Sequence, residues 1–103
     1  MSDEPIYMLN VLWFRPETGA RRYKEYLAAA APISARYGAR KLDSYVPERS
    51  IIGEFDADLV FVVEWPSRAS FENFVNDSEF QAIRHLREEA ITNSLLVRCR
   101  KAG

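Results

Sequence analysis

The run FVVEWPSRASFENFVNDSEFQAIRHLR, Phe61–Arg87, decides the fold. Its opening, Phe61–Trp65, is apolar except for Glu64 and has the length of a buried strand. Pro66 ends that strand, because proline offers no ladder donor. Ser67 is placed to cap a short helix carrying Phe71, Phe74 and Val75. Asn76-Asp77-Ser78 breaks the helix, and Ser78 with Gln81 three residues on has the pattern of a capping box for the next. That helix is expected from about Glu79 to Ile91. At about 100° per residue, Phe80, Ile83, Leu86, Ala90 and Ile91 share one arc, and Arg87 falls inside it. His85 falls on the opposite side.

Working outward, Ile6–Phe14 is apolar on both alternating faces, as expected of a strand covered on each side, and Asn10 is its one strongly polar member. Arg15-Pro16 stops it. Thr18 is the expected N-cap of a helix to Tyr37, with Tyr23, Leu27, Ala30, Ile33, Ser34 and Tyr37 on one packing stripe. Pro32 bends the end of that helix, and Gly38 is its expected left-handed cap. Ala39–Val46 reads as a strand with Lys41, Asp43 and Tyr45 on one face and Leu42, Ser44 and Val46 on the other. Pro47 ends it or marks it as an edge. Ser50–Glu54 is expected to continue it as an arm after a bulge. Asp56-Ala57-Asp58 is a turn into a buried strand, Leu59–Trp65, and Leu95–Cys99 is the last strand.

The order β-α-β-β-α-β is the ferredoxin-like α+β arrangement, an antiparallel sheet with its helices on one face. Two strands apolar on both sides would leave one sheet face bare in a monomer. A large apolar face marks an interaction surface, and a symmetric homodimer closing two sheets around a barrel interior is the simplest solution. At 103 residues, 48% of them apolar, the chain is expected to be a single domain over 1–103. The net charge of −1, with acids and bases interspersed, gives no reason to expect nucleic acid or a membrane as partner. The acidic lead Met1–Pro5 lacks a signal pattern, and no apolar run is long enough to span a bilayer. A lone Cys99 excludes an intrachain disulfide and a cysteine-rich zinc site. A cytoplasmic location is therefore expected, with no cofactor and no metal.

Tyr23-Lys24-Glu25-Tyr26, Pro32 and Tyr37-Gly38, followed by Val63–Ser67, Asn76–Gln81, Leu86-Arg87 and Ala90, resemble the domain of unknown function 1330 (DUF1330) family over nearly the whole chain. The resemblance implies the dimeric α+β barrel fold and assigns no reaction. The same superfamily includes cofactor-free quinone-forming monooxygenases and haem-degrading monooxygenases. Asn10 matches the asparagine of the haem-degrading group, but Phe74 and Arg84 stand where its tryptophan and histidine would be.

The candidate ligand-binding residues are Asn10, Tyr45, Glu64 and Arg87. An arginine on an apolar arc needs a carboxylate, a route to solvent or a ligand. Glu64 is the one charge in the buried third strand, so it is either the structural partner of Arg87 or a proton acceptor of raised pKa beside it. Asn10 could orient a ligand carbonyl or make a local bond. Tyr45 and Trp13 are candidates for the cavity rim. His85, the only histidine, reads as a surface residue, and Ser67, Ser70 and Ser78 as caps. Three functions fit. The first is a homodimer binding a small organic molecule in the barrel interior. The second is a cofactor-independent monooxygenase or isomerase-like enzyme on an aromatic or enolisable substrate, with Glu64 or His85 moving the proton. The third is an interaction protein with a filled interior.

Overall fold

The computed structural model describes residues 4–103, so residues 1–3 of the acidic lead lie outside the described residues. The order is β1 (Ile6–Phe14), α1 (Gly19–Arg36), β2 (Arg40–Tyr45), β3 (Leu59–Trp65), α2 (Arg68–Val75), α3 (Ser78–Ala90) and β4 (Ile91–Cys99). The four strands form one antiparallel sheet in the order β2-β3-β1-β4. The expected α+β, ferredoxin-like arrangement is what forms, with the second helical segment split into α2 and α3 at Asn76-Asp77.

Strand alternation distributes the apolar residues to two faces. Asn10 pairs with Phe61 and Leu96, and Met8 with Val63, which turns Met8, Asn10, Leu12, Phe61, Val63 and Trp65 toward the helices. Buried beneath the helices, Leu12, Phe61 and Trp65 form one core with Tyr23, Phe74, Phe80 and Ala90. The other parity carries Leu9, Val11, Val60, Val62, Leu95 and Val97, aligned across β3, β1 and β4. Among the described residues no helix covers this second face, and Leu95 and Val97 stand 49% and 42% exposed.

β2 departs from strict alternation. The register slips between Lys41 and Ser44, so both pair on the helix side, with Val63 and Phe61, while Arg40 and Tyr45 pair with Glu64 and Val60 on the open face. The bulge thus lies inside the strand, not after it. No strand forms over 46–58, so the expected arm is a loop, with Ile51 and Ile52 largely exposed. Asp56 and Asp58 fasten the end of that loop: Trp13 Nε1 donates to Asp56 Oδ1 at 2.9 Å and Phe14 N–H to Asp58 Oδ2 at 2.8 Å.

The helix ends correct two expectations. Thr18 holds the N-cap position of α1, but its side chain makes no cap bond. A tight turn with Glu17 at φ 70° starts the helix instead, as Gly19 N–H donates to Arg15 O at 3.0 Å. At α3 the cap is Asp77, not the Ser78–Gln81 box. Asp77 Oδ1 accepts from the N–H groups of Glu79 and Phe80 at 2.7 and 3.2 Å, while Gln81 Nε2 donates back to Val75 O. A carboxylate does this better than a hydroxyl because its second oxygen stays free and its charge favours the helix N-terminus. Asp77 Oδ2 uses that freedom to accept from Tyr37 Oη at 2.6 Å and from Arg36 at 3.4 Å, tying α3 to the end of α1. Ser67 caps α2 as expected, accepting from Ser70 N–H at 3.1 Å.

Gly38 is the left-handed cap, at φ 82°, and a Cβ there would lie 2.6 Å from Pro66 Cγ. Gly53 has the same backbone, φ 83°, with nothing within 4 Å of an added Cβ. Gly53→Ala should therefore cost only the left-handed penalty of about 1–2 kcal/mol, and Gly38→Ala clearly more, in urea unfolding. Asp77 supplies a second test. Its carboxyl is held below the ordinary 3.8, first by the Tyr37 hydroxyl and then by the helix N–H groups and Arg36, against desolvation. A depressed pKa contributes stability above the unfolded value that is lost as pH falls through the folded one. Asp77→Asn should be less stable than the parent at pH 7, and the difference should shrink as the pH drops below 3.8.

Candidate functional site

A cavity of about 570 Å³ lies between the sheet and the helices, within the range of roughly 300–1,000 Å³ usual for small-molecule sites. Its walls are largely aromatic and aliphatic. Trp65 on β3 contacts Phe71 and Phe74 of α2, with ring centroids 5.2 and 4.9 Å apart. Phe74 lies 4.2 Å from Phe80 of α3, which reaches Tyr26 of α1 at 6.5 Å. Tyr26 adjoins Tyr23, and Tyr23 returns to β3 through Phe61 at 6.3 Å. Exposed members of the lining, among them Ala31, Lys41, Arg84 and Glu88, mark where the cavity opens.

Polar groups are few and poorly partnered. Arg87, half-buried, lines the cavity and has no carboxylate within ion-pair distance among the described residues. Its neighbours are the hydroxyls of Tyr23 and Tyr26. Burial pushes both tyrosines above their ordinary 10.0, and the charge of Arg87 pulls back only in part, so both stay protonated and neither supplies an anion. Asn10, 8% exposed, donates from Nδ2 to Met8 O at 3.1 Å, and its oxygen has no partner among the described residues. Trp65 Nε1 is buried with no hydrogen-bond partner. Leaving such a donor unmade costs about 1–3 kcal/mol, a cost set by the packing that closes the atom off from the cavity. Lys41 lies at the rim, its Nζ 5.0 Å from the Phe61 ring centroid and donating to Ser44 Oγ at 2.6 Å.

Of the residues singled out in the sequence, Asn10 and Arg87 meet in this cavity, whereas Glu64 and Tyr45 lie on the open sheet face. Glu64 and Arg87 therefore do not pair. Glu64 instead accepts from Arg40 Nε and a terminal guanidinium nitrogen at 3.0 and 2.5 Å, and from Tyr7 Oη at 3.2 Å. Its carboxyl is lowered rather than raised, chiefly by the Arg40 hydrogen bond. The reason is parity: Glu64 sits one residue from Trp65 and so faces the other way. Tyr45 is 64% exposed beside a shallow depression lined by Arg40 and Val62. His85 is exposed and does not line the cavity. Sequence reasoning missed Tyr23, Tyr26 and Trp65 as site residues. The first two carried the helical spacing of ordinary packing, and only the need of a buried indole for an acceptor signalled the third. Among the described residues no group of three His, Cys, Asp or Glu could hold a metal, and no helix is long and apolar enough to cross a membrane.

An antiparallel four-stranded sheet carrying its helices on one face, with a cavity between the layers, defines a ferredoxin-like α+β protein. The model of the domain of unknown function DUF1330 matches residues 17–98, and the chain belongs to that family. The crystal structure of RPA0582, a protein of unknown function from Rhodopseudomonas palustris, is 29% identical, with a TM-score of 0.92 over 99% of this chain and 85% of that one. A dimeric ferredoxin-like protein of unknown function from Jannaschia sp. CCS1 shares 15% identity, with a TM-score of 0.73 over 94% of this chain and 99% of that chain. SnoaB, a cofactor-independent oxygenase from Streptomyces nogalater, shares 14%, with a TM-score of 0.70 over 99% and 96%. These last two likenesses are of fold alone. No curated protein matches the chain.

Arg87 has no carboxylate partner to lose among the described residues. A charge held away from water without a partner costs desolvation, which an apolar chain of similar volume avoids. Arg87→Met is therefore expected to fold and to melt no lower than the parent in calorimetry.

Proposed function

We propose that this protein is a single-domain homodimer, working in a reducing cytoplasm, that binds a small organic molecule in the cavity between sheet and helices. The observation that carries the binding role is one largely apolar cavity of about 570 Å³ whose lining includes an arginine with no carboxylate in ion-pair distance among the described residues. The site differs from the expected barrel interior in position. Each chain carries its own cavity on the helix side, and the open face of Leu9, Val11, Val62, Leu95 and Val97 is left for the second copy. The dimer is supported by the exposure of that face and by the dimeric ferredoxin-like neighbour from Jannaschia. The cytoplasmic location is supported by the lone cysteine.

A cofactor-independent oxygenase or isomerase-like activity on an aromatic or enolisable substrate would use the same cavity, and SnoaB, alike in fold, is such an oxygenase. The charges favour binding over catalysis. The one carboxylate in the lining, Glu88, is exposed and ion-paired to Arg84 at 3.4 Å, and the tyrosines are held protonated, which leaves no ready proton acceptor inside. A purely structural role is disfavoured by the empty volume.

Neutral indole is a suitable probe of the cavity by itself. It should raise the melting temperature of the parent and leave that of Val63→Trp, which fills the space, unmoved; an equal shift in both would place its binding elsewhere. For assembly, light scattering should give twice the chain mass for the parent and a single chain for Leu95→Lys with Val97→Lys. A parent that stays monomeric at micromolar concentration would remove the dimer.

A further inference from the structure

The polarity of the cavity is one-sided, and this narrows what it would hold. Four ionisable side chains of fixed charge line it: Lys41, Arg84 and Arg87, against Glu88 alone. Glu88 and Arg84 neutralise one another at the opening, and Lys41 at the rim keeps its charge while donating to the neutral Ser44 Oγ. Arg87, less exposed than either rim cation, has no carboxylate partner among the described residues. The phenols beside it are donors, since burial keeps them protonated. A planar guanidinium flanked by hydroxyl donors matches the two oxygens of a carboxylate.

From that charged end the rings of Tyr26, Phe80, Phe74 and Trp65 form a continuous row, with steps of 6.5, 4.2 and 4.9 Å between centroids. Its far end is the ring of Trp65, whose N–H is closed off by packing. A flat apolar body lying along the row would make offset or edge contacts with each ring.

We infer that the ligand is a small aromatic monocarboxylate, its carboxylate held by Arg87 and its ring system lying along the aromatic row. This rests on the binding role proposed for the cavity and adds the chemical class of the ligand. Arg87 supplies selectivity for the anion over its neutral analogue.

Isothermal titration with 2-naphthoate and neutral 2-naphthamide tests this. The parent should bind 2-naphthoate about tenfold or more tightly than 2-naphthamide, the usual advantage of a charged hydrogen bond. Arg87→Met should abolish that preference while still binding the amide. Equal binding of acid and amide, or a preference that survives Arg87→Met, overturns the carboxylate assignment. Indole binding in the parent would in that case leave the cavity standing as a site. If indole and both naphthalenes fail to bind, the cavity role falls and this inference with it.

Discussion

The circuit of rings from Trp65 through Phe74, Phe80, Tyr26 and Tyr23 to Phe61 holds the two layers together, and most of the structure depends on it. It leaves β3 at one residue, passes through all three helices and comes back to β3 four residues away. Each aromatic pair adds about 0.5–1.5 kcal/mol beyond the area it buries. Large rigid rings that meet at their edges cannot also fill the space behind them, so the contacts that fasten helices to sheet leave a cavity. Core and site are thus made from the same residues.

Alternation along the strands is the second constraint. Trp65 and Phe61 face the helices only if Glu64, Val62 and Val60 face away. That parity places the ion pair of Glu64 with Arg40 on the open face and keeps the carboxylate out of reach of Arg87. The cavity is electropositive in part for this reason: the one carboxylate of β3, Glu64, lies on the other side of the sheet. The apolar residues of the same parity create the uncovered surface that asks for a second copy.

Helix termini supply most of the polar fastening. Asp77 caps α3, accepts the Tyr37 hydroxyl and meets Arg36, so one carboxylate fixes the angle between α1 and α3 on which the Tyr26–Phe80 contact relies. Gly38 lets the chain leave α1 close against Pro66, where any side chain would collide. Those two positions orient the cavity wall without touching its interior.

The sequence by itself determined the element order, the break at Asn76-Asp77, the left-handed Gly38 and the apolar character of both sheet faces. All of these follow from local periodicity and from the few residues able to stop a strand or cap a helix. Arg87 on the apolar arc of α3 and Asn10 in a buried strand were also legible, because each breaks a pattern that its neighbours keep. The tertiary structure alone decided which pattern-breakers meet. Glu64 and Arg87 looked like partners on composition, but their contact depends on which face a strand presents to a distant helix. Asp77 displaced Ser78 as the cap because Tyr37, forty residues earlier, needed the second carboxylate oxygen. The bulge in β2 turned Lys41 and Ser44 to one side and Tyr45 to the other, and the indole N–H of Trp65 is closed in by packing that includes Phe71 and Phe74 of α2. Distances across the fold set these outcomes, and nothing local in the chain encodes them.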